Sequence, residues 1–204
     1  MHKRAALQRI ALAAISLPTL AALAACGKPA PAAFESVDIT GADYAKDFQL
    51  ADHDGKRRSL ADFKGKAVVV FFGFTQCPDV CPTTMARLAE VKQRLGADGD
   101  RLQAIFVSVD PERDTPEILK AYMGNFDPSF LALRPTPEEL PAVAKNFKIY
   151  YKRVDGSAPD SYTMDHSAGD YIYDPQGRLR LYSRQGTSAE SMAKDIGALL
   201  KASA

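Results

Sequence analysis

Ala67 to Phe72 is an unbroken apolar run with three consecutive valines, and it opens directly into Gly73-Phe74-Thr75-Gln76-Cys77-Pro78-Asp79-Val80-Cys81-Pro82. Such a run reads as a strand buried on both faces, which places it inside a parallel or mixed sheet. Beyond the cysteines, Met85, Leu88, Val91 and Leu95 recur at helical spacing until Gly96, a residue suited to a helix C-terminus. The order is therefore strand, cysteine loop, helix. Leu102 to Val109 supplies a second buried strand, and Thr115-Pro116-Glu117 opens another helix with an N-cap and a proline in its first turn. Strand, helix, strand, helix requires crossover connections and hence a parallel sheet.

The flanking segments complete an α/β design. Phe48 and Leu50 alternate with polar residues before Asp54-Gly55, and Leu60 and Phe63 follow, which predicts a small N-terminal hairpin ahead of the main sheet. Phe130 to Leu133 is a short third strand; Thr136 and Glu139 can form a capping box, and Pro141 is expected to kink the helix that follows. Asp170 to Tyr173 and Arg178 to Ser183 flank the turn Asp174-Pro175-Gln176-Gly177. Thr187 and Glu190 offer a second capping box for a last helix whose apolar face is Met192, Ile196, Leu199 and Leu200. A parallel βαβ unit followed by an antiparallel hairpin and a final helix is the thioredoxin-like arrangement: a central mixed sheet flanked by helices. In it the cysteines stand at the start of the first long helix, where exposed amides and the macrodipole favour a thiolate.

The N-terminal end reads as an address. Lys3, Arg4 and Arg9 precede an apolar stretch from Ile10 to Ala25, and Leu23-Ala24-Ala25-Cys26 resembles a bacterial lipobox. That makes residues 1–25 a lipoprotein signal peptide and Cys26 the lipid attachment site. The competing reading, an uncleaved spanning helix, fits less well because the stretch is short of the ~20 apolar residues required and contains Pro18. Residues 26–46 are expected to form the lipidated cysteine and a tether, with Gly27 to Ala33 rich in Ala and Pro, and folding to begin near Asp47, giving a domain over 47–204. Both readings put that domain in the bacterial cell envelope, facing the periplasm. Gly27 and Lys28 supply no aspartate after the cysteine, so the choice between inner and outer membrane stays open. With 26 basic and 25 acidic residues the formal net charge is +1, and no excess of one sign points to nucleic acid.

If Cys26 is lipidated, Cys77 and Cys81 are the only thiols left of the three cysteines. A disulfide across so short a loop closes little chain entropy, so reactivity explains the pair better than stapling. Positions i and i+4 share one side of a helical turn, and two thiolates there can close on a soft metal ion. An iron–sulfur cluster or structural zinc would want four ligands. A third ligand should be a histidine. His2 leaves with the signal, and His53 sits beside the Asp54-Gly55 turn as a solvated loop histidine. His166 precedes the strand of the second hairpin, a segment that returns beside the cysteine loop in a thioredoxin-like fold; spacing alone does not separate a ligand there from a hydrogen-bonded loop histidine. Asp165 is a candidate acceptor for the free ring hydrogen of His166. Asp79 could bias cation entry or docking, Asp110-Pro111 reads as a turn, and Asp114 as a turn or capping residue before a helix.

Three motifs then carry a resemblance. Phe72-Gly73-Phe74-Thr75 with Cys77-Pro78-Asp79-Val80-Cys81-Pro82, Val107-Ser108-Val109-Asp110-Pro111-Glu112-Arg113-Asp114-Thr115, and Asp165-His166-Ser167 stand in the order found in the Sco/SenC copper chaperones, which the chain closely resembles from about Phe48 to Leu200. The resemblance implies that Cys77, Cys81 and His166 bind one copper ion as Cu(I) or Cu(II). It also implies a client, the binuclear CuA site on subunit II of a haem-copper cytochrome c oxidase, and it leaves room for another copper donor protein upstream. Copper delivery is a binding and transfer function rather than catalysis. The alternative is a thiol:disulfide reductase, with Cys77 and Cys81 as the redox-active pair, that keeps the client's copper-binding cysteines reduced and has no need of His166. A peroxidase-like reading would use Thr75 and Arg87 beside a cysteine, and the paired loop argues against it.

Overall fold

A computed structural model describes residues 33–158 and 161–202, all within one compact unit. The segment read as a signal peptide, Cys26 and the first part of the expected tether lie outside the described residues. The strands are β1 (Val37–Asp38), β2 (Leu50–Asp52), β3 (Arg57–Arg58), β4 (Ala67–Gly73), β5 (Leu102–Ser108), β6 (Leu131–Arg134), β7 (Tyr151–Asp155), β8 (Tyr162–His166), β9 (Asp170–Tyr173) and β10 (Leu179–Ser183). The helices are α1 (Val80–Arg94), α2 (Pro116–Gly124), α3 (Leu140–Phe147) and α4 (Ala189–Lys201).

Eight strands form one mixed sheet in the order β1-β10-β9-β4-β5-β6-β2-β3. β4 and β5 pair in parallel, as do β5 and β6, while β9 runs antiparallel against β4. The apolar run of β4 thus lies at the centre of the sheet, and all its residues are buried. Its end, at Gly73 opposite Ser108, is where the parallel strands deliver their loops. That is the edge at which open α/β sheets place functional groups. α1 packs against α4, and Gly96 follows α1 with φ +56°, the left-handed conformation that terminates a helix. The thioredoxin-like α/β architecture expected from the element order is present.

Several local expectations change. The folded part reaches further toward the N-terminus than Asp47. β1 pairs with β10, the Glu35 and Ser36 amides donate to the Asp195 carboxylate at 2.9 and 2.8 Å, and the Tyr173 hydroxyl donates to the Ala45 carbonyl at 2.7 Å. No apolar period marks residues 35–46, because they are held by these hydrogen bonds together with irregularly spaced apolar side chains, Ile39, Ala42, Tyr44 and Ala45, packed on the core. The N-terminal hairpin is not separate: β2 pairs with β3 and also with β6, so it extends the main sheet at one edge. Thr136 and Glu139 do form reciprocal side chain to backbone hydrogen bonds, at 3.2 and 2.9 Å. Pro141 produces no kink, since it is the second residue of α3, where a helix has no hydrogen bond for it to break. Ser188 rather than Thr187 caps α4, accepting from the Ser191 amide at 3.1 Å, while the Thr187 hydroxyl donates to the Arg184 carbonyl.

The largest departure is β7–β8, an antiparallel ribbon that pairs only with itself. His166 ends β8 instead of lying in a loop before β9. Among the described residues no helix is long and apolar enough to cross a membrane.

Candidate metal centre

The site forms where three elements meet. β4 ends at Gly73, the chain turns through Phe74 to Asp79, and α1 begins at Val80, which makes Cys81 its second residue. The turn is closed by the Cys77 amide donating to the Phe74 carbonyl at 3.2 Å and the Cys81 amide donating to the Cys77 sulfur at 3.5 Å. Both thiols are free. Cys81 is fully buried and Cys77 half-buried, so the pair has one inner and one outer sulfur.

His166 arrives from the other side on β8. Its Nε2 lies 3.6 Å from the Cys81 sulfur, and the ligand atoms of Cys77, Cys81 and His166 all lie within 4.8 Å of one another. The Nδ1 atom sits 3.0 Å from the Ser167 carbonyl oxygen, which can only accept, so Nδ1 carries the ring hydrogen and Nε2 turns its lone pair toward the sulfurs. Phe71 and Phe74 meet the imidazole edge-on, with centroids at 6.1 and 5.8 Å. Asp165 does not receive the ring hydrogen. It neighbours His166 along a strand, so its side chain leaves on the opposite, exposed face.

Burial sets the resting protonation of the site. It pushes the Cys81 thiol well above its ordinary value, more than the Phe74 amide hydrogen bonding can offset, and it lowers His166. The thiolate favoured by a helix N-terminus is therefore not the resting form of Cys81. Two sulfurs and a neutral imidazole nitrogen converge on one point, and a cation placed there would reverse the balance by charge. The donor set fits a soft or borderline metal ion.

The surrounding acids separate by role. Asp114 is fully buried and accepts from the Thr75 amide at 3.2 Å, the Thr75 hydroxyl at 2.6 Å and the Ser108 hydroxyl at 2.6 Å. Desolvation raises its carboxyl despite these donors. It is neither a surface turn residue nor the cap of α2, a part played by Thr115, whose hydroxyl accepts from the Ile118 amide. It anchors the cysteine loop to the end of β5. Asp110 does make the expected turn, its carbonyl accepting from the Arg113 and Asp114 amides, and its carboxylate also holds Arg113 and the Tyr162 hydroxyl. Asp79 is exposed, and its carboxylate accepts from the Thr83 hydroxyl at 3.3 Å.

Two other expectations resolve by geometry. Arg87 donates to Asp170 at 2.6 Å and to the Thr187 carbonyl at 2.9 Å, and Thr75 is committed to Asp114, so neither serves a peroxidatic cysteine. His53 is not solvated: its Nδ1 accepts from the Ala132 amide at 3.2 Å on the far edge of the sheet. Gly73 stands in the Phe72-Gly73-Phe74-Thr75 motif, and the structure supplies the reason for a glycine there. A β-carbon there would meet the Cys81 sulfur at 2.7 Å, so only glycine lets the inner thiol tuck under β4.

Comparison with known proteins agrees with this geometry. The family model described as SCO1/SenC matches residues 37–201. The chain is 36% identical over 152 residues to the mitochondrial SCO2 homolog of Mus musculus, an alignment covering 74% of this chain and 60% of that protein. It thus spans somewhat under two thirds of the length of that mammalian relative. A structure of Bradyrhizobium japonicum ScoI with copper bound is 41% identical, with a TM-score of 0.68, covering 75% of this chain and 97% of the other. The apo Sco1 protein of Thermus thermophilus is 36% identical, with a TM-score of 0.70, covering 84% of this chain and 98% of the other. The match spans both the sheet and the Cys77, Cys81 and His166 cluster, and the chain belongs to the SCO1/SenC family.

Proposed function

We propose that the chain is a copper carrier of the bacterial cell envelope, which binds one copper ion through Cys77, Cys81 and His166 and passes it to the CuA site on subunit II of a haem-copper cytochrome c oxidase. The observation that carries this reading is the convergence of two thiol sulfurs and an unprotonated Nε2 within 4.8 Å. Two thiolates suit Cu(I), and the nitrogen makes Cu(II) tolerable. Three protein donors leave a position through which a client ligand can enter, and the half-buried Cys77 is the sulfur from which exchange would start. The copper-bound ScoI relative supports copper as the ion, and the oxidase as client rests on the family resemblance. Copper arrives from another donor protein. Lipidation of Cys26 holds the carrier to a membrane on the outer side of the cytoplasmic membrane.

One observation favours a second reading, the thiol:disulfide reductase. The outer Cys77 and inner Cys81 have the exposure split of an attacking and a resolving thiol. Cys77 thiolate would attack a client disulfide, releasing one client thiol, and Cys81 would displace the second as the pair closes to a disulfide. Copper titration of the reduced protein and of His166→Ala, followed by transfer to the soluble domain of subunit II, tests the two. Transfer that depends on His166 supports the carrier; copper-free reduction of a subunit II disulfide, unaffected by His166→Ala, supports the reductase.

A further inference from the structure

The third ligand stands on a support that has no backbone bond to the main sheet. β7 and β8 pair only with each other, and a lone two-stranded ribbon is marginally stable in water. Side chains rather than strand pairing must hold His166 at 3.6 Å from Cys81: Met164 packs into the core and Phe71 meets the imidazole, but neither is a directional bond. Along β8, Tyr162, Met164 and His166 share one face, so whatever fixes Tyr162 also fixes the plane of the strand that ends in His166. A further pair of bonds, Ser167 amide to Tyr150 carbonyl and Tyr150 amide to the Ser167 hydroxyl, both at 2.9 Å, closes the ribbon at the histidine end but ties it only to itself.

The fixing of Tyr162 comes from Arg113. Its guanidinium lies 3.5 Å from the centroid of the Tyr162 ring, and its Nη1 donates to the Tyr162 carbonyl at 2.9 Å. The Arg153 guanidinium lies 3.8 Å from the same centroid, and two such groups fit only on opposite faces of one ring. Asp110 closes the bracket, accepting from Arg113 Nε at 2.5 Å and from the Tyr162 hydroxyl at 2.9 Å. The same Arg113 Nη1 also donates to Gln76 Oε1 at 3.0 Å, and Gln76 immediately precedes Cys77. Phe74, whose edge meets His166, lies 5.9 Å from the guanidinium. One side chain therefore touches the dithiol loop and the strand of the histidine.

We propose that Arg113 is a positioning residue that clamps the β7–β8 ribbon to the cysteine loop and so sets whether the centre has three ligands or two. With the clamp engaged, His166 faces the sulfurs. With Arg113 or Tyr162 released, the ribbon swings and leaves a dithiol site that still suits Cu(I) but no longer Cu(II). The inference rests on the copper-carrier reading for its second half only, because the clamp itself is a property of the metal-free protein. Lysine at this position keeps the charge but loses the fork and the plane, which are what the carbonyl, the amide oxygen and the ring engage.

The test uses Arg113→Lys in the reduced metal-free protein. Amide hydrogen exchange should rise about tenfold or more at Met164, His166 and Ser167 while β4 and β5 stay as in the wild type. In the same variant Cu(II) affinity should fall by about tenfold to a hundredfold, the range for groups that orient a metal ligand, with Cu(I) affinity within about threefold. Tyr162→Leu removes the stacked ring while leaving the Arg113–Asp110 pair, and should give the same signature if the lysine variant folds poorly. Exchange unchanged at β8 in the variant that folds, or raised equally through β4 and β5, would overturn the clamp. Equal losses for the two copper ions would overturn its role in ligand number. A wild-type protein that binds no copper would instead defeat the carrier reading and leave the exchange result to judge the clamp.

Discussion

Gly73 and Cys81 share one space: a β-carbon on Gly73 would stand 2.7 Å from the Cys81 sulfur, with Phe106 and Phe71 carbons at 2.8 and 2.9 Å. All three neighbours are fully buried, so none can move aside cheaply. Gly73 does not have a positive φ, so space rather than backbone freedom selects glycine here. Gly73→Ala should cost about 1–3 kcal/mol of stability by overpacking. It should also weaken copper binding about tenfold or more by displacing the inner sulfur. Denaturant melts and metal titration of the reduced variant measure the two effects, and an alanine variant with wild-type affinity would show that the Cys81 position is not constrained by β4.

The ligand set makes a graded prediction. Cys77→Ser and Cys81→Ser should each abolish the sulfur-to-Cu(II) charge-transfer absorption, because a soft site needs both thiolates. His166→Ala should lower Cu(II) affinity much more than Cu(I) affinity, since two thiolates hold Cu(I) in near-linear geometry while Cu(II) wants a further nitrogen or oxygen. Undiminished binding in either serine variant would sink the assignment of the centre.

The sequence made local features readable and long-range ones not. β4, the cysteine spacing and α1 follow from neighbouring residues whose apolar period is strong. His166 emerged from the scarcity of histidines, yet its carrier β8 stayed hidden because four of the five residues of β7 are exposed and the alternation in β8 rests on Tyr162 and Met164 alone, too short a pattern to mark a strand. Asp114 read as a capping residue because it precedes α2. Its real partners, Thr75 and Ser108, come together only when β4 and β5 align Gly73 with Ser108. The requirement for glycine at Gly73 is not readable in the chain, since it is the volume of a sulfur that lies beside it only after α1 has docked.

Membrane attachment is tested by Cys26→Ser. If Cys26 is the lipidated residue, the serine variant should lose lipid labelling and appear in the soluble fraction. Its copper affinity should match wild type, because the three ligands and the groups packed against them lie between Phe71 and Ser167. A serine variant that stays membrane-bound would mean that the apolar stretch from Ile10 to Ala25 is an uncleaved anchor.

The pair Arg87–Asp170 links α1 to β9 and sets a pH dependence of stability. Asp170 is fully buried, and burial raises its pKa from 3.8 to about 6 even though Arg87 donates to it at 2.6 Å. The folded-state value lies above the unfolded one, so as pH falls the native state takes up this proton first. Asp170 therefore adds stability below the unfolded pKa and loses that addition as pH rises through about 6. The difference is on the order of 2–3 kcal/mol, at about 1.4 kcal/mol per pKa unit. Asp174, Asp127 and Asp52 are shifted down and act in the opposite sense, so the bare pH profile mixes both signs. Asp170→Asn removes only the one group. The unfolding free energy of the wild type minus that of the variant, measured in denaturant from pH 4 to pH 8, should decrease with rising pH and flatten above about 7. A difference that grows with pH instead would mean that the ion pair with Arg87 outweighs burial and holds Asp170 charged.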